Sequence, residues 1–452
     1  MSSKSKSGNV EVEGDQISCL PDAILSHILS LIPLKSAVQT SILSKRWTNL
    51  WTSITNIEFE EEVVNATRSA YMVDSVLSRC TSKQIERFSL VVNVGVDFEH
   101  VKAWVNDAVS RNVRELRLKR SIMPQCIFTC KTLTVLELVS DILFHKNNLP
   151  TSFDLPNLKT LRTRLLYPKV LANKLFSSCP ILEDLTIEGT VTVRSRTIFN
   201  ISCPLLKTLK MELHALEFEG LKCKFVINAP DVKYLELIAM STAEYVVENL
   251  NSVVEAKMEI VRGSTDEIFV NRTVGLLWEF STLKSLSLDE VFLAGSNQSY
   301  LPEQTNLLSD LEIVPECLLS RVKVIELEGL EGNSYEMEMV KYLLANARVL
   351  KYLTIKFWTT APELDFEIFK QLVELPKGST TCQESSKELR NNHCVLRYAH
   401  KAIMLHVKKK NFKEDTRFGA EKIALFKPKI GRNHASKFIK TSPYWMSADE
   451  IT

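Results

Sequence analysis

A chain of 452 residues is too long for one ordinary core, and two to four units are expected. Its 45% hydrophobic and 24% charged residues exclude a disordered chain, and a formal charge of +2 excludes a general attraction to nucleic acid or membrane. Partner choice must therefore come from local features.

The opening residues MSSKSKSGNVEVEGDQ lack the apolar stretch of a secretory leader, and 1–14 are expected to be disordered. The longest apolar region, Leu20 to Leu34, is broken by Asp22, Ser26, His27 and Ser30. It is too short and too polar to cross about 30 Å of hydrocarbon, so a cytoplasmic or nuclear protein is expected. Three short helices are predicted within 15–55. Pro21 sits where a first turn needs no N–H, and Ile24, Leu25, Ile28 and Leu29 follow as an apolar stripe that Pro33 ends. A second stretch from Leu34 carries Ala37, Val38, Ile42 and Leu43, and a third over Lys45 to Leu50 sets Trp47 and Trp51 on a common face. So short a block cannot bury all of these side chains by itself, which predicts a second polypeptide against it.

The spacing Leu20-Pro21, Ile24, Ile28, Val38, Ser44-Lys45-Arg46-Trp47, Leu50-Trp51 resembles an F-box, the module that docks on a Skp-type adaptor and thereby on a cullin-RING ubiquitin ligase. The resemblance implies that Leu20 and Pro21 begin the adaptor contact, Ile24, Ile28 and Leu29 form its helical ridge, and Val38, Ile42, Leu43 and Trp47 complete it. Leu50 and Trp51 either join that surface or pack on the segment that follows.

From Ile85 onward the block apolar-x-x-apolar-x-apolar recurs, as VRELRL from Val113, LTVLEL from Leu133, LEDLTI from Leu182, LKTLKM from Leu206 and LKYLTI from Leu350. Pro156, Pro180, Pro204 and Pro230 precede the first anchor of four copies at spacings of 24, 24 and 26 residues. The last two anchors of a block point to one face of a short strand, and the residue between them, such as Arg117, Glu137, Thr186 or Lys210, points to the other. One such unit cannot bury its apolar face alone, so the copies must stack. The array over 80–312 resembles the irregular leucine-rich repeats of plant F-box proteins, which implies an α/β solenoid. Two departures are expected: VVEAKMEI near Val254 sets Lys257 at an anchor position, and the long gap before Val322 interrupts the array between Asp289 and Arg321.

Residues 313–383 read as strand, turn, helix, strand, with Asn333 and Glu336 as a capping pair and Met337, Val340, Leu344 and Ala347 as the buried stripe. With Pro315, Cys317, Leu318, Asn346 to Leu350 and Thr381-Cys382, this segment resembles the FBD domain that follows the repeats in those proteins, and it predicts a β-α-β cap on the array. Residues 384–452 hold 15 Lys and Arg against 7 Asp and Glu, about +8, which leaves 41 against 47, about −6, for the remainder. Lys408-Lys409-Lys410 with Lys413 fits a nuclear-import signal, a weak nucleic-acid contact or a solvated basic tail.

The ten cysteines show no paired metal spacing, and Cys394 with His393, His400 and His406 shows none either, so neither metal nor cofactor is expected. In a reducing compartment the thiols are read as small buried hydrophobes. No phosphate loop, zinc helix or nucleophile elbow occurs, which places any chemistry on partners. The resemblance as a whole, to plant F-box/LRR/FBD-repeat proteins, implies a non-catalytic substrate receptor of a ubiquitin ligase: adaptor on the F-box, target protein on the repeats. An interaction scaffold without ubiquitin transfer, or a protein that touches nucleic acid through its basic tail, fits the same residues.

Overall fold

The computed structural model describes residues 17–399 with breaks, the longest at 140–149, 262–274, 292–313 and 358–371. The predicted disorder of 1–14, the pairing of Asn333 with Glu336, Thr381-Cys382 and the lysine run at 408–410 all fall outside the described residues.

The N-terminal block holds α1 (Asp22–Ser30) and α2 (Leu34–Gln39), followed by 3-10 turns over Thr40–Ile42 and Trp47–Ser53. Pro21 starts α1 with its carbonyl, which accepts from the N–H groups of Ile24 and Leu25 at 3.0 and 3.1 Å. Pro33 serves α2 likewise, accepting from Ala37 at 3.0 Å. The third helix expected from the sequence is a 3-10 segment.

Behind this block the chain builds a parallel sheet. Its strands are β1 (Asn56–Phe59), β2 (Arg87–Val91), β3 (Glu115–Lys119), β4 (Val135–Val139), β5 (Thr160–Arg164) and β6 (Asp184–Val191). The chain then alternates between two sheets, with β7 (Thr197–Ser202), β9 (Cys223–Asn228) and β11 (Ala243–Asn249) in a second one. The main sheet continues through β8 (Thr208–Ala215), β10 (Tyr234–Ala239), β12 (Glu255–Val261), β13 (Ser285–Val291), β14 (Val324–Leu330) and β15 (Tyr352–Phe357). It ends in an antiparallel hairpin, β16 (Glu384–Arg390) and β17 (His393–Ala399), with β17 against β15. Among the described residues the main sheet has 14 strands, in the order β1-β2-β3-β4-β5-β6-β8-β10-β12-β13-β14-β15-β17-β16, and it does not close into a barrel.

The anchors stack in register. Phe88, Leu116, Leu136, Leu161, Leu185 and Leu209 occupy successive rungs of one row, and Leu90, Leu118 and Leu138 begin a second row two residues on. Both rows face a core that runs from Leu25 to Leu372. The same turn opens most blocks: the N–H of Leu158, Leu182, Leu206 and Val232 donates to the carbonyl three residues back at 3.2 Å. The N–H groups at these turns are thus paired within the stack, as burial demands.

Both expected departures resolve differently. Ala256 and Met258 are the buried anchors of β12, in register with Leu235 and Leu237, so Lys257 is an outward residue and no anchor is lost. β13 pairs directly with β14, Ser285 opposite Val324, so the long connection lies outside the ladder and the array is continuous there. The sheet also starts earlier and ends later than the repeats predict, at β1 and at the hairpin 384–399 respectively.

The returning segments differ along the stack. Early turns return through α3 (Ala66–Leu77), α4 (Phe98–Ser110), the 3-10 turn Gln125–Thr129 and α5 (Lys169–Ser177). The middle ones return through the second sheet, where Phe199 and Phe225 stack at 5.1 Å between centroids and Phe225 and Tyr245 at 5.8 Å. Late turns use α6 (Glu316–Ser320) and α7 (Ser334–Asn346); Val340 and Leu344 of α7 and Ala347 just after it are buried as the stripe predicts, with Met337 partly so. Gly378 then packs on α7: its N–H donates to Leu344 O at 2.9 Å, and a Cβ there would overlap the carbonyl oxygen of Ala345. No helix among the described residues is long and apolar enough to cross a membrane.

The described cysteines Cys80, Cys130, Cys179, Cys203 and Cys317 are buried free thiols, and Cys130, Cys179 and Cys203 accept the turn-closing N–H of the anchor three residues on. Burial pushes the thiols of Cys80, Cys179 and Cys317 up to about 11 and that of Cys203 to about 12. The thiolate is the reactive form. Maleimide labelling of the native protein at pH 7.5, mapped by mass spectrometry, is therefore expected to mark exposed Cys19 within minutes and to leave these five unmarked until denaturant is added.

Candidate docking surfaces

The N-terminal block divides its apolar residues between two faces. Leu25 and Leu29, one turn apart on α1, are buried with Leu34, Ala37, Leu50 and Trp51. Trp47 is only 8% exposed and belongs to the same cluster, which continues into Ile54 and into Ile57 of β1. Ile24 and Ile28, adjacent to the buried pair in sequence, point the other way at 48% and 41% exposure. Leu31, Ile32 and Leu43 are exposed beside them, and Ile42 is 86% exposed.

Of the nine residues expected to touch a partner, Pro21, Ile24, Ile28, Ile42 and Leu43 are exposed. Leu20 and Val38 are half-buried and pack against the core. Leu29 and Trp47, at 2% and 8% exposure, are internal in the free chain, Leu29 because it lies on the Leu25 side of α1. Trp51 is also internal. Sequence reasoning missed Leu31 and Ile32, although two large aliphatics directly before Pro33, with no periodic partner, are a usable signal.

Polar contacts hold the face in place. Ser30 is buried, donates to Ser26 O at 3.0 Å and accepts from the Thr55 N–H at 3.1 Å, while Asn56 Nδ2 donates to Ser30 O at 2.9 Å. The end of α1 is thereby tied to β1. Arg46 reaches across the block to Asp22, 2.8 Å from Nε to Oδ1, and also donates to the Leu20 carbonyl. The Asp22 carboxylate is largely solvated, so this bridge fixes geometry more than it stabilises.

The outward row of the main sheet is a second candidate surface. Here Arg117 faces Glu137, and Thr186 faces Lys210, on neighbouring strands. The charges neutralise one another. Arg87 donates to Glu115 at 2.7 Å and to Glu58 at 3.1 Å, and these bonds raise the Arg87 pKa. Glu236 lies 3.1 Å from Lys210 and 3.8 Å from Lys257. Burial acts to raise its pKa, but hydrogen bonds from Lys210 and Tyr234 with the two lysine charges outweigh that, and the net shift is downward. A row whose charges are mutually paired presents a scaffold rather than a reactive centre. Among the described residues no group of His, Cys, Asp and Glu is placed to hold a metal ion.

A small helical block with an uncovered aliphatic face, fused to a stack of repeats, matches the F-box domain over residues 17–58. The N-terminal block is thus similar to an F-box, and it leads into a repeat body. Residues 101–244 match the LRR repeats of FBD-associated F-box protein At5g56370, and 311–355 match FBD. The chain is 28% identical over 425 residues to F-box/FBD/LRR-repeat protein At5g56420 of Arabidopsis thaliana, covering 82% of this chain and 98% of the relative. FBD-associated F-box protein At4g10400 from the same plant is 28% identical over 424 residues, covering 82% and 99%. The chain thus resembles F-box/FBD/LRR-repeat proteins of this plant, with the F-box, LRR and FBD matches falling in that order along it.

Proposed function

We propose that this protein is the substrate-recognition subunit of an SCF-type ubiquitin ligase, binding a Skp-type adaptor, and through it cullin, with its F-box and a target protein with its stacked repeats. One observation carries the reading: Ile24, Ile28, Leu31, Ile32, Ile42 and Leu43 stay uncovered in a block whose Leu25, Leu29, Leu34, Trp47, Leu50 and Trp51 are packed. Contiguous exposed aliphatic surface on a folded chain marks an interaction site. Each such side chain contributes about 1.5–3 kcal/mol when a partner removes it from water.

On this reading the repeats act as one solenoid, the protein works in the cytoplasm or nucleus, and bond making belongs to the partners. Its contribution is proximity. A target held on the same assembly as the loaded enzyme meets it at an effective concentration on the order of millimolar. The test is reconstitution with a purified Skp-type adaptor. The full chain and adaptor are expected to co-elute as one complex on gel filtration and, with cullin and RING subunits added, to support ubiquitin transfer. Separate elution of chain and adaptor overturns the proposal, and co-elution without transfer reduces it to a scaffold.

A further inference from the structure

The residue after the first anchor of each block forms its own row along the leading edge of the sheet, one position before the strands. Early in the stack this row holds Lys159, Glu183 and Lys207. Glu183 lies 3.1 Å from the Lys159 ammonium and 2.5 Å from that of Lys207, so one carboxylate is clasped by the lysines of both neighbouring strands. The hydrogen bond from Lys207 and then that from Lys159 hold its pKa below the ordinary value.

Further along, the row changes character. The Lys233 N–H donates to Lys207 O and Val254 to Lys233 O, and the ladder continues from Lys284 to Val254, Lys323 to Lys284 and Lys351 to Lys323, all at 2.8–2.9 Å. Lys284, Lys323 and Lys351 therefore stand on three consecutive rungs, roughly 4.8 Å apart. All three are exposed, and none makes an ion pair among the described residues. The carboxylate that separates two lysines at Glu183 has no counterpart here. Beside them, on the outward row, lie half-buried Val324 and Tyr352, paired across β14 and β15.

We infer that Lys284, Lys323 and Lys351 form a docking row for an acidic stretch of a partner protein, each incoming carboxylate lodging between two neighbouring ammonium groups as Glu183 lodges between Lys159 and Lys207. The chain's own carboxylate shows which anion this geometry accommodates, and the adjoining Val324 and Tyr352 give an aliphatic and aromatic strip suited to peptide side chains. The inference rests on the reading of the repeats as the target-holding part and names the chemistry of the segment held.

The probe is a fluorescein-labelled ten-residue peptide of alternating Glu and Ala, added to the full chain in complex with its adaptor at about 50 mM salt, where exposed charges are weakly screened. Two measurements are made. In lysine acylation footprinting, the peptide is expected to slow modification of Lys284, Lys323 and Lys351 at least threefold while leaving Lys102 and Lys131 unchanged. In anisotropy, Lys284→Gln, Lys323→Gln and Lys351→Gln together are expected to weaken binding about tenfold. The matched removal of Lys102, Lys131 and Lys224, also to Gln, is expected to weaken it less than twofold. Equal losses in the two triple variants, or no protection of the three lysines, overturn the inference. So does single-stranded DNA of equal charge protecting them better than the peptide does. Adaptor co-elution is read on the same preparations, so a failure there counts against the F-box reading while the peptide measurements decide the row.

Discussion

Ile28→Asp combined with Ile42→Asp is expected to weaken adaptor binding by at least a factor of about 100 while leaving the melting temperature of the free protein unchanged. Both side chains are exposed in the isolated chain, so the folded state loses little when they change. In the complex each would otherwise leave water, at about 1.5–3 kcal/mol apiece, and a carboxylate in their place would be buried without a partner. A combined loss of ~3–6 kcal/mol corresponds to roughly two to four orders of magnitude in Kd. Titration calorimetry with purified adaptor measures the first quantity and differential scanning fluorimetry the second. Wild-type affinity in the double variant would remove this face from the interface.

Trp47→Ala is expected to behave in the opposite way. The indole is internal and clustered with Leu50, Trp51, Ile54 and Ile57, so truncation leaves a cavity and costs about 3–5 kcal/mol. The cost should be local. Hydrogen exchange read by mass spectrometry should show lost protection across 22–59, with the amides of β8 and β10 unchanged, because the repeats there are held by their own neighbours. Adaptor binding would fall as well, through unfolding of the block rather than loss of a contact. Trp47→Phe, which fills most of the volume, should recover most of both. Full protection in Trp47→Ala would show that the indole does not hold the block together.

These two results separate what the sequence could and could not convey. The stacking of the repeats was legible because an anchor spacing repeated at fixed phase has few other physical solutions, and the main-sheet strands from β2 to β15 follow it. Which residues of the N-terminal block face outward was not legible. Ile24 and Leu25 are equally apolar and about 100° apart on a helix, and periodicity alone does not say which neighbour meets the core. The second sheet was missed for a different reason. Its strands, such as TIFNIS and CKFVIN, lie in the variable return half of each block, where helix and strand both satisfy the stack. The anchor shift at Ala256 escaped notice because alanine is a weak signal beside Val254. The hairpin 384–399 carries no repeat pattern, and its place in the sheet is backbone pairing that composition does not reveal.

The β13 to β14 connection has a wider consequence. Although it is longer than the other parallel connections of the main sheet, Ser285 still meets Val324 rung for rung, so the pitch of the stack is set by the strands and is indifferent to the length of chain between them. Insertions at that junction can vary in size and composition without altering the spacing of groups displayed across the strands. The strands thus act as a ruled grid whose spacing survives changes in the chain between them.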